Sequence, residues 1–275
     1  MFSNLRSLIF KLDPETAHNL AIKSLKFNFI PNILDEDKNN TLFKNQLFNK
    51  HLENPIGMAA GFDKNAEVYN SLFRLGFGFV EVGTVTPLKQ YGNPKPRVFR
   101  LVDDEALINR LGFNNLGAMN VVNRIKLNRQ AGLLGINIGP NKDTKDRLKD
   151  YIECFKIFNE VADYITINIS SPNTDDLRSF HEQSKLNELL QILNKEKKKL
   201  NSKIPLVVKV SPDISEQDIN KISEVLLNNN IAAIIVSNTS DSTRDNLNDT
   251  QSHQKGGLSG KPIEAKSTKL VGKFF

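Results

Sequence analysis

The sequence predicts an α/β fold, a (β/α)8 TIM barrel, preceded by a small helical extension. Three observations lead to this prediction. From Pro55 onwards, short apolar segments alternate with amphipathic helical segments, which is the pattern of repeated βα units around a parallel sheet. Nearly every apolar segment ends in glycine or polar residues. The first fifty residues lack the alternation and show apolar residues at helical spacing instead.

Composition limits the possible classes of protein. The chain has 275 residues, of which 39% are hydrophobic and 25% charged, so one large domain with a small extension is expected and disorder is not. The net charge of +6 fits anionic ligands or lipid surfaces, and equally an ordinary solvated surface. No nucleic-acid partner is predicted. A single cysteine, Cys154, excludes a disulfide framework and a cysteine-based metal site.

The N-terminal segment, residues 1–40, is predicted to be helical. Apolar residues recur at helical spacing at Leu5, Leu8, Ile9 and Leu12. Asp13 and Pro14 then form a helix start, with Asp as N-cap and Pro in the first turn. The next helix has a predicted packing face made of Ala17, Leu20, Ala21, Ser24 and Leu25. Pro31 ends it, and the polar stretch 35–41 joins it to the barrel.

The remaining segment, residues 41–275, is predicted to hold about six of the eight βα units of a barrel. The predicted strands are residues 55–60, 79–84, 132–138, 164–170, 205–211 and 232–238. Their apolar composition suits strands that are buried on both faces. Helical patterns separate them, for example over residues 147–161, 183–200 and 215–228.

A doubly wound sheet would also fit this alternation. Such a sheet concentrates its site at one switch point, whereas a barrel draws functional groups from the ends of many strands. Six strands with polar ends favour the barrel. The absence of a Gly-x-Gly-x-x-Gly sequence after the first strand also disfavours a dinucleotide-binding fold.

The polar strand ends and nearby loops predict one convergent site. It would contain Lys64, Asn109, Asn137, Asn168, Asn173, Lys209 and Asn238. Amides offer donors and acceptors together, and the lysines offer positive charge, so the set suits a flat, polar, anionic heterocycle. Histidines and paired carboxylates are missing from the strand ends, with Asp63 the main exception. A metal cluster and a glycosidase pair are therefore not expected.

Seven short motifs resemble, in order, those of the dihydroorotate dehydrogenase family. They are NPIGMAAGFDKN (54–65), NRLGFNN (109–115), GINIGPN (135–141), NISSPNT (168–174), VKVSPD (208–213), SNT (237–239) and GGLSG (256–260). Each is weak alone, but seven in order at the expected spacing are specific. The resemblance covers residues 1 to about 270. It implies a flavoprotein that oxidises (S)-dihydroorotate to orotate with FMN in de novo pyrimidine (UMP) biosynthesis.

The resemblance also implies roles for individual residues. FMN would be contacted by Ala60, Gly61, Thr84, Asn137, Asn168, Lys209, Ser237 and Gly260. The pyrimidine and its carboxylate would be held by Lys64, Asn109, Arg110, Leu111, Gly112, Phe113, Asn168, Asn173, Asn238 and Thr239. Ser171 would be the catalytic base, taking a proton from C5 while hydride leaves C6. A free serine is a weak base, so a proton relay or a positioned water is expected.

Serine at position 171 also indicates the class. Soluble members that use fumarate or NAD usually carry cysteine there. The serine and the N-terminal helices resemble the quinone-linked class, in which the helices form an apolar mouth for quinone. This implies a ubiquinone-type acceptor, peripheral contact with the cytoplasmic face of the cell (inner) membrane, and a monomer. Simple packing of Leu5, Leu8, Ile9 and Leu12 onto the barrel is the alternative explanation of their spacing.

The sequence departs from the family pattern at its C-terminus. The family continues beyond GGLSGKP (256–262) through two more βα units with glycine-rich loops for the FMN phosphate, whereas this chain stops at Phe275. A fragment and a naturally shortened product are both compatible with this. Two other functions stay open as alternatives: a related flavin barrel acting on another pyrimidine or on uridine in RNA, and a non-catalytic remnant that binds membrane or a partner through residues 1–30.

Overall fold

The structure is a computed structural model, and it describes residues 6, 9–27, 43–129, 132–174, 176–242, 244 and 246–275. Several predicted features lie outside the described residues: Leu5, Leu8, Pro31, the polar stretch 35–41 and the domain boundary at residue 40. No helix within the described ranges is both long enough and apolar enough to cross a bilayer.

The elements are named in chain order. The helices are α1 (Pro14–Lys26), α2 (Tyr69–Arg74), α3 (Ala118–Asn128), α4 (Arg147–Phe158), α5 (Gln183–Lys199), α6 (Glu216–Asn228) and α7 (Glu264–Phe274), with short 3-10 helices at Leu177–His181 and Lys261–Ile263. The strands are β1 (Asn45–Leu47), β2 (Lys50–Leu52), β3 (Gly57–Met58), β4 (Phe79–Val85), β5 (Val98–Leu101), β6 (Ala106–Asn109), β7 (Leu133–Ile138), β8 (Tyr164–Asn168), β9 (Leu206–Val210), β10 (Ala233–Val236) and β11 (Gly257–Gly260).

Six parallel strands form the centre of the molecule. Their order in the sheet is β3-β4-β7-β8-β9-β10, which is also their order along the chain. A helix follows each strand before the next begins. A doubly wound sheet reverses its strand order at the switch point, and this sheet does not. The structure therefore confirms a partial (β/α)8 barrel and all six predicted strands, and the three predicted helices end within three residues of the observed ones.

Side chains alternate between the two faces of the barrel wall. Val80, Val82, Ile136, Ile167 and Val208 belong to the main core, which packs against the outer helices. The residues between them face the barrel interior, because successive strand residues point to opposite faces. These interior positions include Glu81, Asn137, Thr166, Asn168 and Lys209, all buried. The polar strand ends seen in the sequence therefore converge inside the barrel mouth.

The opposite end of the barrel is closed by a hairpin that the sequence analysis did not predict. β1 and β2 pair antiparallel across Phe48 and Asn49, which both have positive φ angles. Leu52 is buried against Leu133, Tyr164 and Val207, at the amino ends of the parallel strands. This apolar plug closes the end of the barrel that lies opposite the polar strand ends.

A second sheet, also unpredicted, stands beside the barrel mouth. β5 and β6 form a hairpin, and β11 adds to β6 in antiparallel register, with Gly257 opposite Asn109. Phe99, Leu101, Ile108 and Leu258 form its separate small core. The sheet brings the chain near residue 110 and the chain near residue 256 together over the strand ends.

Helix α1 lies across this second sheet and begins as predicted. The Asp13 carboxylate accepts a hydrogen bond from the Thr16 backbone N–H at 2.8 Å, with Pro14 in the first turn. The predicted packing face is wrong in part, since Leu20 is 53% exposed and Ala21 and Ser24 are exposed too. Leu25 packs on the core as predicted, together with Ile22, which was not in the predicted face, and the barrel-facing side also carries Glu15 and His18. The helix turns polar groups inward because it covers a cavity.

Candidate active site

A cavity of about 160 Å³, here called the inner cavity, lies at the carboxyl ends of the strands. Its lining is Ala60, Gly61, Lys64, Thr84, Asn109, Leu111, Gly112, Phe113, Asn168, Ser171, Pro172, Asn173, Lys209, Asn238 and Thr239. All but four of the residues predicted for the site are in this set. In a barrel the loops at this end carry the functional groups, and the glycines and short side chains leave room for a ligand between them.

Three amides and two hydroxyls in the barrel mouth form a connected network. Thr84 Oγ1 donates to Asn137 Oδ1 at 2.6 Å, and Asn168 Nδ2 reaches Thr84 Oγ1 at 2.9 Å and Asn137 Oδ1 at 3.2 Å. Further along, Asn238 Nδ2 donates to Ser170 Oγ at 2.9 Å. These contacts fix the side chains in place before any ligand arrives, which reduces the cost of binding.

Ser171 is buried at the edge of the inner cavity, on the loop that follows β8. Its Oγ accepts a hydrogen bond from the Asn173 backbone N–H at 3.2 Å. Asn173 Nδ2 in turn reaches Asn109 Oδ1 at 3.4 Å, which connects this loop to the end of β6. Among the described residues, none accepts a hydrogen bond from the Ser171 hydroxyl, so the expected protein relay is not found there.

Lys64 stands in the wall of the inner cavity. Its Nζ donates to Asn114 Oδ1 at 3.0 Å. Burial, reinforced by repulsion from the Arg97 guanidinium and opposed by the Glu15 carboxylate, lowers the pKa of Lys64 to about 8. The ammonium is thus still the main form at neutral pH but loses its proton far more readily than an ordinary surface lysine.

Lys209 and Gly61 also line the inner cavity. The Lys209 side chain is buried on β9 and makes no hydrogen bond or ion pair with the residues that the structure describes. Gly61 has a φ of +113°, and a Cβ added there would meet nothing within 4 Å. A buried ammonium with no protein partner and an open backbone position both suit an electron-rich, flat ligand.

Four predicted site residues do not line the inner cavity. Asn137 lies beneath it, fully buried in the amide network. Ser237 Oγ meets the Asn238 carbonyl and Ser267 Oγ. Gly260 lies against Glu105 and Ala106 at the end of β11. The Arg110 guanidinium points to the far side of its loop, where it donates to Gln254 Oε1 at 3.0 Å, Lys255 O and Pro96 O.

Sequence analysis missed Arg178, which joins two loops of the site. Its Nε donates to Ser170 O and its Nη2 to Thr239 O, both at 3.2 Å. It also forms an ion pair with Asp241 at 2.5 Å. Arg178 follows the NISSPNT motif by only four residues, but nothing local in the sequence shows that a chain segment from beyond β10 lies opposite it.

A second and larger cavity, the outer cavity, lies between α1 and the barrel mouth and measures about 760 Å³. Its apolar lining includes Ile9, Pro14, Ala17, Ile22, Phe62, Val98 and Leu107, and its polar lining includes His18, Arg100 and Asn114. Gly61, Lys64 and Leu111 line both cavities. The two spaces are therefore separated by a wall of only a few residues.

Helix α1 is held over the outer cavity by a buried ion pair. Arg97, only 6% exposed, donates to both carboxylate oxygens of Glu15, at 3.1 and 2.6 Å. Hydrogen bonding with Arg97 lowers the pKa of Glu15, so its charge persists well into the acid range. Arg100 adds hydrogen bonds to the Phe10 and Leu12 carbonyls. The two arginines of β5 and its preceding loop thus anchor the helix.

His18 and Asp63 have different roles near this wall. The His18 ring packs edge-on against Phe62 at 5.1 Å, and burial together with the nearby Lys64 charge lowers its pKa, so the ring is neutral at pH 7. Asp63 is buried, and its carboxylate accepts from the backbone N–H groups of Glu67 and Val68 at 2.8 and 2.7 Å. Asp63 therefore stabilises the turn after β3 and does not face the inner cavity.

A third space, the vestibule, borders the inner cavity at Pro172 and Asn173 and measures about 650 Å³. Its lining is mostly basic, with Arg110, Lys142, Arg244 and Lys255 against the single carboxylate of Asp241. A basic entrance of this kind raises the local concentration of anions. It lies beside the loop that carries Ser171.

Comparison with known proteins gives a consistent result. The profile described as dihydroorotate dehydrogenase matches residues 42–275. A protein of Bartonella tribocorum described as dihydroorotate dehydrogenase (quinone) is 46% identical over 275 residues, covering 98% of this chain and 75% of the relative. One from Idiomarina loihiensis with the same description is 42% identical over 278 residues, covering 98% of this chain and 83% of the relative.

Solved structures agree with the sequence comparison. The crystal structure of DHODH from Eimeria tenella in complex with ferulenol superposes with a TM-score of 0.90 at 36% identity, covering 95% of this chain and 76% of that one. The ligand-free structure from the same organism gives the same TM-score and identity. With the matched profile, the identities above 40% and the shared barrel, this chain belongs to the dihydroorotate dehydrogenase family.

Proposed function

We propose that this protein is a quinone-linked dihydroorotate dehydrogenase, which oxidises dihydroorotate to orotate and transfers the electrons to a quinone in pyrimidine biosynthesis. The observation that carries the proposal is the pair of cavities. One is small, polar and rich in amides and lysines, and the other is large and mostly apolar, and they share a wall. A polar pyrimidine and an apolar quinone need two such spaces on either side of one redox group.

FMN is the proposed redox group, and the lining fits its ring. The amides, Thr84 and Lys209 offer hydrogen bonds to the oxygen and nitrogen atoms along a flat heterocycle, and Gly61 lets a ring approach the backbone. When bound, FMN accepts hydride from the pyrimidine and gives up electrons to the quinone. The cavity volume of about 160 Å³ is smaller than the roughly 300–1,000 Å³ of typical ligand sites, so the phosphate-bearing chain would extend beyond it.

The protein's own groups account for the rest of the first half-reaction. Lys64 supplies a positive charge for the carboxylate of dihydroorotate, while Asn109, Asn173 and Asn238 orient the ring amides. Ser171 Oγ takes the proton from C5 as the C6–H bond breaks, and it passes its own hydroxyl proton to a water molecule, so that the serine remains neutral. Because the Asn173 N–H donates to Ser171 Oγ, the hydroxyl keeps a fixed position and its remaining lone pair is available toward the cavity.

The finer assignments rest on α1. Residues 1–40 form the quinone- and membrane-associating segment, and residues 41–275 form the flavin-binding barrel. Membrane contact is peripheral, on the cytoplasmic face of the inner membrane, with a ubiquinone-type quinone and a monomeric protein. The outer cavity and the exposed Leu20 and Phe27, at 53% and 70%, support this, because apolar side chains around an apolar opening suit a lipid surface.

Purified protein tests the function directly. The 275-residue polypeptide should be compared with a version extended by the last quarter of a Bartonella relative, because this chain covers 75% of that relative's length. We expect a yellow preparation whose absorbance bleaches with dihydroorotate and recovers with a ubiquinone analogue. Fumarate or NAD as the better acceptor would reject the quinone-linked class, and a yellow protein that dihydroorotate does not bleach would reject the substrate.

A deletion separates the two segments. Removing residues 2–27 should impair quinone turnover by tenfold or so while dihydroorotate still bleaches the flavin, because loss of the outer cavity leaves the inner cavity intact. Equal loss of both half-reactions would mean that the N-terminal segment is only structural.

A further inference from the structure

We infer that Glu81 is a positioning residue, which sets the orientation of the Asn137 amide and so fixes the hydrogen bonds of Thr84 and Asn168, two residues that line the inner cavity. Glu81 lies in the middle of β4, faces the barrel interior and is only 3% exposed. It touches neither cavity. Its carboxylate lies below the hydrogen-bond network of the barrel mouth and accepts from it.

The carboxylate is satisfied by neutral donors alone. Asn137 Nδ2 donates to Glu81 Oε1 at 2.8 Å, and Thr166 Oγ1 donates to Glu81 Oε2 at 2.7 Å. Tyr164 is a third neutral donor: burial, the Glu81 charge and a side-chain hydrogen bond with Glu81 raise the pKa of Tyr164 well above its usual range. No ion pair involves Glu81 in the part of the chain that the structure describes. Buried carboxylates without a cation are costly, so this one is a candidate for a specific task.

The hydrogen bonds above Glu81 all run toward it. At the far end the Thr239 backbone N–H donates to Asn238 Oδ1 at 2.8 Å, and Asn238 Nδ2 donates to Ser170 Oγ at 2.9 Å. Ser170 Oγ donates to Asn168 Oδ1 at 2.9 Å. The chain then passes through Asn168 Nδ2, Thr84 and Asn137, as described above, and ends on the carboxylate.

The groups at the two ends of this hydrogen-bond chain fix the direction of the hydrogen bonds between them. An amide alone can exchange its oxygen and nitrogen with little change in shape. A backbone N–H can only donate, and an ionised carboxylate can only accept. Thr239 therefore fixes Asn238, and Glu81 fixes Asn137, whose oxygen must point up to Thr84 and Asn168. With the amide of Asn137 reversed, its NH2 group would face the Asn168 NH2 group, the hydrogen bond between these two amides would be lost, and the Asn137 oxygen would face the Glu81 carboxylate.

The direction of these hydrogen bonds affects which ligand groups the inner cavity can bind. Thr84, Asn168 and Asn238 line the inner cavity, and the network holds their side chains in one arrangement. The amide oxygens of Asn168 and Asn238 accept within the barrel wall, so the second N–H of Asn238 is left for a ligand. A fixed donor at this position suits a ligand oxygen, such as that of a carboxylate or a ring carbonyl. This deepens the proposed function, on which it rests, since an oxidised flavin and an orotate ring both present such oxygens.

The inference can be tested with a cycle of variants that exchange the carboxylate at position 81 and the amide at position 137. In Asn137→Asp, two carboxylates face each other at hydrogen-bond distance, and one must take a proton and reverse a contact. In the double variant Glu81→Gln with Asn137→Asp, the new amide at position 81 can donate to the new carboxylate at position 137, which still accepts from Thr84 and Asn168. The total charge and the direction above position 137 are the same as in the parent protein. Thr166→Val is the matched control, because it removes a different donor to Glu81 and leaves the Asn137 amide in place.

Two measurements follow the cycle: the FMN dissociation constant from quenching of flavin fluorescence, and the thermal unfolding midpoint of flavin-free protein. We expect Asn137→Asp to weaken FMN binding about tenfold or more, since a hydrogen bond to a charged group is lost. The double variant should recover most of this loss, and Thr166→Val should change binding less than about threefold. If Glu81 had only a structural role, the double variant would bind FMN no better than either single variant, Glu81→Gln or Asn137→Asp.

The measurements distinguish failure of the inference about Glu81 from failure of the cofactor proposal. If the double variant binds FMN no better than Asn137→Asp, the inference is overturned. If the parent protein itself fails to bind FMN, the cofactor proposal fails, and the cycle is decided by the unfolding midpoint: recovery in the double variant supports the directional role of Glu81, and no recovery overturns it.

Discussion

The inner and outer cavities share three residues but are built in different ways. The inner cavity is held by strand ends and their loops, and its polar groups are hydrogen-bonded to one another. The outer cavity is roofed by a single helix, α1, whose inward side carries Glu15 and His18 between apolar residues. Rigid strands suit the positioning of a reacting ring, whereas a helix held by few contacts can admit a larger apolar ligand. The two half-reactions should therefore be separable by mutation.

Among variants that affect one half-reaction and not the other, Ser171→Ala should have the largest effect. Loss of a positioned base typically costs about 10²–10⁴-fold, so bleaching of the flavin by dihydroorotate should slow by that factor. Reoxidation of chemically reduced flavin by quinone should not change, because the hydroxyl lies only in the inner cavity. Ser171→Cys should keep partial activity with an optimum at lower pH, since a thiol loses its proton more readily. Stopped-flow absorbance follows both steps, and normal bleaching in Ser171→Ala would contradict the assignment.

Lys64 provides a test by pH, because its pKa of about 8 results mainly from burial. The charged form dominates below pH 8 and disappears above it, so an anionic ligand should bind well at pH 7 and lose up to about tenfold in affinity per pH unit above 8. Orotate binding measured by flavin difference spectra from pH 6.5 to 10 would check this. Lys64→Arg, which stays charged over that range, should give a flat profile. The same decline in the arginine variant would assign the titration to another group.

Breaking the anchor of α1 should affect the other half-reaction. Glu15→Ala leaves the buried Arg97 without its carboxylate, although the Tyr91 and Asn93 carbonyls still accept from it. We expect quinone turnover to fall by about five- to tenfold, as loss of a buried pairing costs a few kcal/mol, shared here between the helix and the fold. Flavin reduction should stay within twofold or so of the parent. Ser24→Ala, on the exposed side of the same helix, is the control and should change neither rate.

The smallest effect is expected at the vestibule. Lys142→Glu reverses one charge in the basic lining, which should lower kcat/KM for dihydroorotate by about two- to fourfold at low ionic strength. The difference should shrink at about 0.5 M salt, where the Debye length is only a few ångströms. Quinone kinetics should be unaffected. A salt-independent loss would instead indicate direct contact with the substrate.

Much of this architecture could be predicted because it is local. Strands such as Leu133–Ile138 and Tyr164–Asn168 are apolar runs with polar ends, and the N-cap Asp13 lies next to the helix that it starts. The second sheet was missed although Phe99 and Leu101 alternate with the more exposed Val98 and Arg100. Its strands have only four residues, and β11 joins from about 150 residues further along the chain, so no local pattern reports that pairing.

The direction in which each side chain points was the least predictable property of the site. The residues of NRLGFNN were identified together, but Arg110 turns outward while Asn109 and Leu111 turn inward. The same holds for α1, where the predicted packing face ran from Ala17 to Leu25 without Glu15 or His18, and the helix directs both of these side chains to the barrel. Sequence spacing gives the face of a regular element, but a loop or a helix over a cavity follows partners that are distant in the chain. Arg97 and Gln254 are such partners.

The shared wall has a thermodynamic consequence. Lys64 lines both cavities, so a molecule in the outer cavity that shifts this side chain also changes how well the inner cavity holds an anion. Linkage then requires the reverse: an anion in the inner cavity must change the affinity of the outer cavity by the same factor. An inhibitor lodged beneath α1 would thus have a potency that depends on the pyrimidine concentration, even though the two molecules never compete for the same space.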